Sequence, residues 1–299
     1  MKKSIDRDKV VGYAAGITTG VTYGLNPLFA MPLMKSGASV ESILFFRYSF
    51  SVIMLGVWLV LTRESFRISF KQSIRLLILG LLFTTSSLTL FESYKFIPSG
   101  LATTIVFLYP VFVAVIMVFM RVYPTWQVWL SIMLTFVGVM ILSKSDSTHI
   151  IQTKGIVLAM ASALAYAMFI VIINRSMAIR KVSNTKLTFY ALMVGMVVFF
   201  TKSVISGGFD SMLRVFEIRG SVVNLLLLAI LPTIVSTATL ALSTRKIGAT
   251  KASVLGVFEP VTAILVGALA FSEEITLNII IGIILSMAAV VFMIVCGKR

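Results

Sequence analysis

Glu259, followed directly by Pro260, is the residue of this chain best placed to do chemistry, because both fall inside an apolar run. A carboxylate costs at least about 2.5 kcal/mol to insert into lipid, so an intramembrane acid is a functional hypothesis by default. A proline inside a helix removes one backbone hydrogen bond and obstructs another, freeing carbonyl oxygens beside the carboxylate. That combination suits a cationic group or a proton; the competing reading is a structural link to a neighbouring helix. Of the 11 acidic residues only Glu92 is placed similarly. It precedes Lys95 by three positions, so one helical turn can pair them. Its other reading is proton handling at an outer gate, which makes it a second coupling candidate beside Glu259. Arg47 can grip a carboxylate through two parallel bonds or extend toward lipid headgroups.

Polar groups enter other apolar runs at Tyr23, Asn26, Tyr109 and Tyr166. Hydroxyls cluster at Thr84, Thr85, Ser86, Ser87 and Thr89, and again at Thr233, Ser236, Thr237, Thr239 and Ser243 beyond Pro232. Most should bond to carbonyls one turn back. A minority, with Thr237 among them, is expected to face a cavity. Pro110 and Pro260 are candidate hinges. No metal or cofactor is expected: His149 stands alone in a connector, no His/Cys cluster occurs, and no glycine-rich phosphate loop or nucleophile–base set is found. The 16 methionines read as packing rather than a copper path. Cys296 is the single cysteine, which excludes an intrachain disulfide.

The elements that must position these groups are helices in lipid. Hydrophobic residues make up 59% of the 299 positions, charged residues 12%, and mean hydropathy is +1.04. Soluble domains average about 25% charged residues. Apolar runs of about 20 residues or longer suit helices rather than barrel strands. The spacing predicts spans at 10–33, 42–62, 73–95, 99–119, 125–143, 154–174, 186–205, 222–244, 249–270 and 276–296, with the longest connectors around Ser145–Thr153 and Gly207–Ser221. The first run shows no small-x-small cleavage site and is read as a retained span. The net charge of +15 is concentrated at the ends of hydrophobic runs, which fits membrane topology better than nucleic acid. Clusters such as Arg63, Arg67, Lys71 and Arg75, and Arg175, Arg180, Lys181 and Lys186, fall on the side of the N-terminus. Lys298 and Arg299 join them, whereas Lys95 and Lys144 fall opposite. The bias predicts both termini in the cytoplasm.

The chain also echoes itself. Ser93, Ile97, Ala102, Pro110 and Val111 recur half a chain later as Ser243, Ile247, Ala252, Pro260 and Val261. Gly12, Gly16, Gly20 and Gly24 are answered by Gly155, Ala159, Ala163 and Ala167, which sets Tyr23 against Tyr166. Small residues at this spacing let another helix approach closely. Two five-helix units, 1–148 and 149–299, are therefore expected. An odd number of spans per unit makes them an inverted pair, with Lys95 outside and Arg245, Lys246 and Lys251 inside. Repeat-built transporters place their substrate between such copies.

The chain resembles the EamA-type family of the drug/metabolite transporter superfamily. The resemblance rests on Tyr94-Lys95-Phe96-Ile97-Pro98 and Tyr109-Pro110-Val111 in the first half. In the second half it rests on Arg245-Lys246-Ile247-Gly248-Ala249, Phe258-Glu259-Pro260-Val261, Gly267, Ser272-Glu273-Glu274-Ile275-Thr276 and Gly282. Tyr109 stands where the second half has Glu259, and Tyr123 where it has the acidic Glu273. The resemblance implies secondary transport of small organic solutes, amino acids or related metabolites, often by export, from a bacterial inner (plasma) membrane. The expectation is alternating access through a cavity between inverted repeats, with the lipid bilayer and a small-molecule solute as partners and protons as the candidate coupling ion. The alternatives are a passive facilitator and a non-transporting membrane scaffold. An embedded enzyme would need a convergent catalytic set, and none is found.

Overall fold

The computed structural model describes residues 2–97, 102, 105–142, 152–271 and 277–296. Pro98, Lys144, His149, residues 272–276, Lys298 and Arg299 lie outside them. The protein is all-helical, 86% helix with no strand among the described residues. In chain order the helices are α1 (Lys2–Gly24), α2 (Asn26–Lys35), α3 (Val40–Leu61), α4 (Phe70–Ser93), α5 (Tyr109–Phe119) and α6 (Trp126–Leu142). They continue with α7 (Thr153–Arg175), α8 (Met177–Arg180), α9 (Asn184–Leu213), α10 (Ser221–Ala229), α11 (Ser236–Ile247), α12 (Ala249–Val254), α13 (Phe258–Phe271) and α14 (Leu277–Cys296). A π-helical turn, Ile230–Val235, joins α10 to α11, and a 3-10 turn, Leu255–Val257, joins α12 to α13.

Local chemistry sets the boundaries. The Ser39 hydroxyl caps α3 by accepting from the Ser42 N–H, and Ser69 with Gln72 forms a reciprocal capping box on α4. Gly248 separates α11 from α12 at a φ of 88°, a left-handed conformation that costs a side-chain-bearing residue more. Five stretches are long and apolar enough to cross a membrane: α3, α4, α7, Asn184–Ile205 of α9, and the run Ser221–Ile247.

Several runs expected to be single spans are broken. The first divides at Leu25 into α1 and α2, with Pro27 in the first turn of α2. The ninth divides into α12, the 3-10 turn and α13. Prolines begin the second pieces because their fixed φ suits a helix start and their missing N–H would be unpaired there anyway. The connector expected at Gly207–Ser221 also differs, since α9 runs on to Leu213 before the 3-10 turn Arg214–Glu217. Met212 and Val215 are buried and fasten this extension to the core.

Helix pairing follows a crossed pattern. α1 packs on α11 and α13, whereas α7 packs on α4 and α5. α3 lies against α9, and α6 against α14. Each half thus lends its first helix to the third and fourth segments of the other half. The glycine ladder of α1 explains how close this packing is. A Cβ on Gly16 would press on Leu255 and Ser243, one on Gly20 on Phe258, and one on Gly24 on the Glu259 carbonyl and Thr262.

Candidate functional site

The crossed packing brings four of the sequence-named residues together. Tyr23 ends α1, Tyr166 is in α7, Tyr109 opens α5, and Glu259 opens α13. The Tyr23 and Tyr166 rings stack with centroids 6.1 Å apart, and Tyr109 meets Tyr166 edge-on at 4.9 Å. The Glu259 carboxylate lies within electrostatic reach of all three tyrosines. All four are buried, Glu259 at 8% exposure. Among the described residues no hydrogen bond or ion pair reaches the Glu259 carboxylate. The chain breaks hold these groups in place. Tyr109 and Pro110 form the first turn of α5, and Glu259 and Pro260 the first turn of α13. Gly256 in the adjoining 3-10 turn is needed for the fit, because a Cβ there would coincide with the Tyr109 hydroxyl.

Arg47 is placed deeper than the headgroup reading anticipated. It is fully buried, its Nε donating to Thr233 Oγ1 at 2.5 Å and its Nη2 to the Pro232 carbonyl at 3.1 Å. The π turn makes this possible: it presents the Pro232 carbonyl to the guanidinium, while the Thr233 hydroxyl donates to the Leu228 carbonyl at 2.7 Å. Among the described residues Arg47 Nη1 has no partner, and neither do Asn26 Nδ2 and Oδ1 or Thr237 Oγ1, all buried. Buried polar groups are ordinarily bonded, and an unpaired one costs about 1–3 kcal/mol, so these atoms have bonding capacity left over.

Glu92 belongs elsewhere. It pairs with Lys95 at 2.9 Å and reaches Lys202 at 3.8 Å, and Lys202 pairs with Glu41 at 3.0 Å. This network ties the start of α3 and the end of α4 to the middle of α9. Many of the clustered hydroxyls bond within their helices as expected; Thr89, for example, donates to the Thr85 carbonyl. Others bridge helices. Ser86 meets Ser162 at 3.1 Å, and Thr239 meets Thr19 at 2.8 Å. Thr19 and Ser162 were not anticipated. The available signal was a hydroxyl on a small-residue face, which is where close helix approach allows short side chains to meet.

The comparisons with known proteins agree with this architecture. A family model described as the EamA-like transporter family matches residues 10–144 and again residues 153–295. The crystal structure of another protein superposes with a TM-score of 0.78 at 16% identity, covering 96% of this chain and 98% of that one. At that identity the likeness is one of fold. Among curated proteins none matches the chain.

Proposed function

The chain belongs to the EamA-like transporter family, a family of membrane transporters of small solutes rather than enzymes, and on that premise we propose a specific transport mechanism. The protein is a secondary transporter that exports amino acids or related metabolites by alternating access, driven by protons through Glu259. It crosses a bacterial inner membrane ten times, as inverted units 1–148 and 149–299, with both termini in the cytoplasm. The solute sits between the units against Tyr23, Asn26, Tyr109 and Tyr166. Arg47 receives a carboxylate, Thr237 offers a further hydroxyl, and Glu259 receives an ammonium group or a proton. Pro110 and Pro260 are the hinges.

The observation that carries this reading is the isolated, buried Glu259 carboxylate among three tyrosines drawn from both halves. An acid held there without a counter-charge gains from binding a cation or a proton, and that gain differs between the states it occupies. Discontinuous helices meeting at the interface of two repeats are the usual setting of such sites. Protonation then loosens the hold of Glu259 on the solute and biases the facing state.

The test is flux of labelled amino acids in vesicles under an imposed pH gradient. Glu259→Gln should express normally and lose the response to the gradient. Normal, still pH-driven flux in that variant would sink the coupling. Wild-type flux that ignores the gradient would select a passive facilitator.

A further inference from the structure

A second recess lies away from this cluster. It has a volume of about 300 Å³ and is formed where α4, α5 and α7 meet. Its walls are apolar, with Ile116 of α5 and Met120 just beyond its end facing Met168, Val171 and Ile172 from α7. Met120 and Met168 remain 42% and 41% exposed, so the recess opens onto the outer face of the bundle. Its rim holds Arg75 and Arg175 beside Ser176. Arg75 Nη1 donates to Ser176 Oγ at 3.1 Å, which fixes its guanidinium over the apolar walls.

Two features suit these arginines to an anionic ligand. Lys95, Lys202 and Lys246 have carboxylate partners, and Arg180 and Arg245 donate to backbone carbonyls. Arg75 and Arg175 are exposed and, among the described residues, have no acidic partner. They also stand at the ends of two helices long enough to cross a bilayer, Arg75 in the opening turns of α4 and Arg175 as the last residue of α7. That is the depth of headgroup phosphates.

We propose that this recess binds an anionic phospholipid, its phosphate between Arg75 and Arg175 and one acyl chain against Met120, Met168 and Val171. A free phosphate would gain nothing from the apolar walls, and a neutral lipid nothing from the paired guanidiniums. Basic pockets between membrane helices select acidic headgroups, and the methionines adapt to a flexible chain. The two charges together correspond to a preference for anionic over zwitterionic lipid of about 30-fold, and one alone to about fivefold.

The experiment is competition between phosphatidylglycerol and phosphatidylcholine for the purified full-length protein, read by native mass spectrometry of retained lipid. The wild type should retain phosphatidylglycerol preferentially, and Arg75→Gln with Arg175→Gln should remove the preference. Arg175→Gln alone should lower it about fivefold without disturbing the fold, because that guanidinium makes no hydrogen bond to a described residue. Met168→Trp, which fills the recess and leaves both charges, should weaken retention of either lipid. Equal retention of the two lipids by the wild type would overturn the proposal. So would an unchanged preference in Arg175→Gln, or displacement of the lipid by inorganic phosphate alone. None of these outcomes depends on Glu259 or on flux.

Discussion

The two repeats break their fourth segment at the same proline and put different chemistry beside it. In the first, Tyr109 precedes Pro110 and its neutral hydroxyl is seated over Gly256. In the second, Glu259 precedes Pro260 and carries a buried carboxylate without a partner among the described residues. The backbone device is shared, and the charge is not. Their third segments diverge in the same way. α4 is a continuous helix, whereas its counterpart Ser221–Ile247 is interrupted by the π turn that receives Arg47. Duplication thus supplies a symmetric frame, and the second copy holds the irregularities that charged groups require. A symmetric protein would give a solute equal reasons to be held in either facing state. The lone carboxylate is what can make those states respond differently to a proton.

The sharpest way to break this contrast is to make both breaks alike. Glu259→Tyr leaves an aromatic hydroxyl on each side of the interface and no intramembrane charge in the cluster. If the state bias rests on a carboxylate worth about 2.5 kcal/mol, its loss corresponds to a roughly 70-fold fall in gradient-driven flux. Flux under a pH gradient, corrected for the amount of protein in the membrane, reads it. Retention of most of the flux would show that the asymmetry of the breaks is incidental.

A smaller effect is expected from the seat of Tyr109. Gly256→Ala places a methyl where the Tyr109 hydroxyl lies, and overpacking of that kind costs about 1–3 kcal/mol. Thermal unfolding in detergent should show the loss. Tyr109→Phe in the same chain should restore most of it, because it removes the atom in conflict. If the double variant is no better than Gly256→Ala, the two residues do not meet as described.

The repeat frame was legible in the sequence to a useful degree, and the reasons are local. Gly12, Gly16, Gly20 and Gly24 announce a close helix approach by spacing alone. What they approach, from Ile247 to the Glu259 carbonyl, depends on how the halves cross and leaves no mark on the ladder itself. Tyr23 and Tyr166 were matched as equivalents by the echo, but their stacking is shown only by the fold. Tyr109 and Glu259 were matched as equivalents, but their convergence on one cluster is a tertiary property. Arg47 was the least readable of the candidates. A charge in an apolar run suggests an extension to the headgroups, and only the freed Pro232 carbonyl makes burial the better solution. The Ile230–Val235 irregularity is signalled by Pro232, yet a proline alone does not distinguish a kink from a π turn.

That π turn offers the next prediction. Thr233→Val keeps the shape of the side chain and removes the hydroxyl that accepts from Arg47 Nε. A lost hydrogen bond to a charged group corresponds to about 1.5 kcal/mol, which should appear in thermal unfolding. Arg47→Met in the same background removes the stranded charge and should recover part of the loss, because breaking a buried polar pair costs more than replacing it. A Thr233→Val protein as stable as the wild type would mean that Arg47 is satisfied by other groups.

The smallest effect should come from Glu92, and it separates the two candidate coupling acids. Glu92 shares Lys95 and Lys202 in a half-exposed network, and Lys202 keeps Glu41 as a second partner. Exposed or partly exposed pairs contribute about 0–1 kcal/mol, so Glu92→Gln should lower stability by less than about 1 kcal/mol. Its gradient-driven flux should keep the wild-type pH profile, because its carboxylate is held in ion pairs with Lys95 and Lys202 rather than in the tyrosine cluster. Glu259 has neither neighbour. If Glu92→Gln flattened the pH profile and Glu259→Gln did not, the coupling would belong to the outer ion-pair network. The unpaired carboxylate between the repeats would then be a packing group that tolerates its isolation.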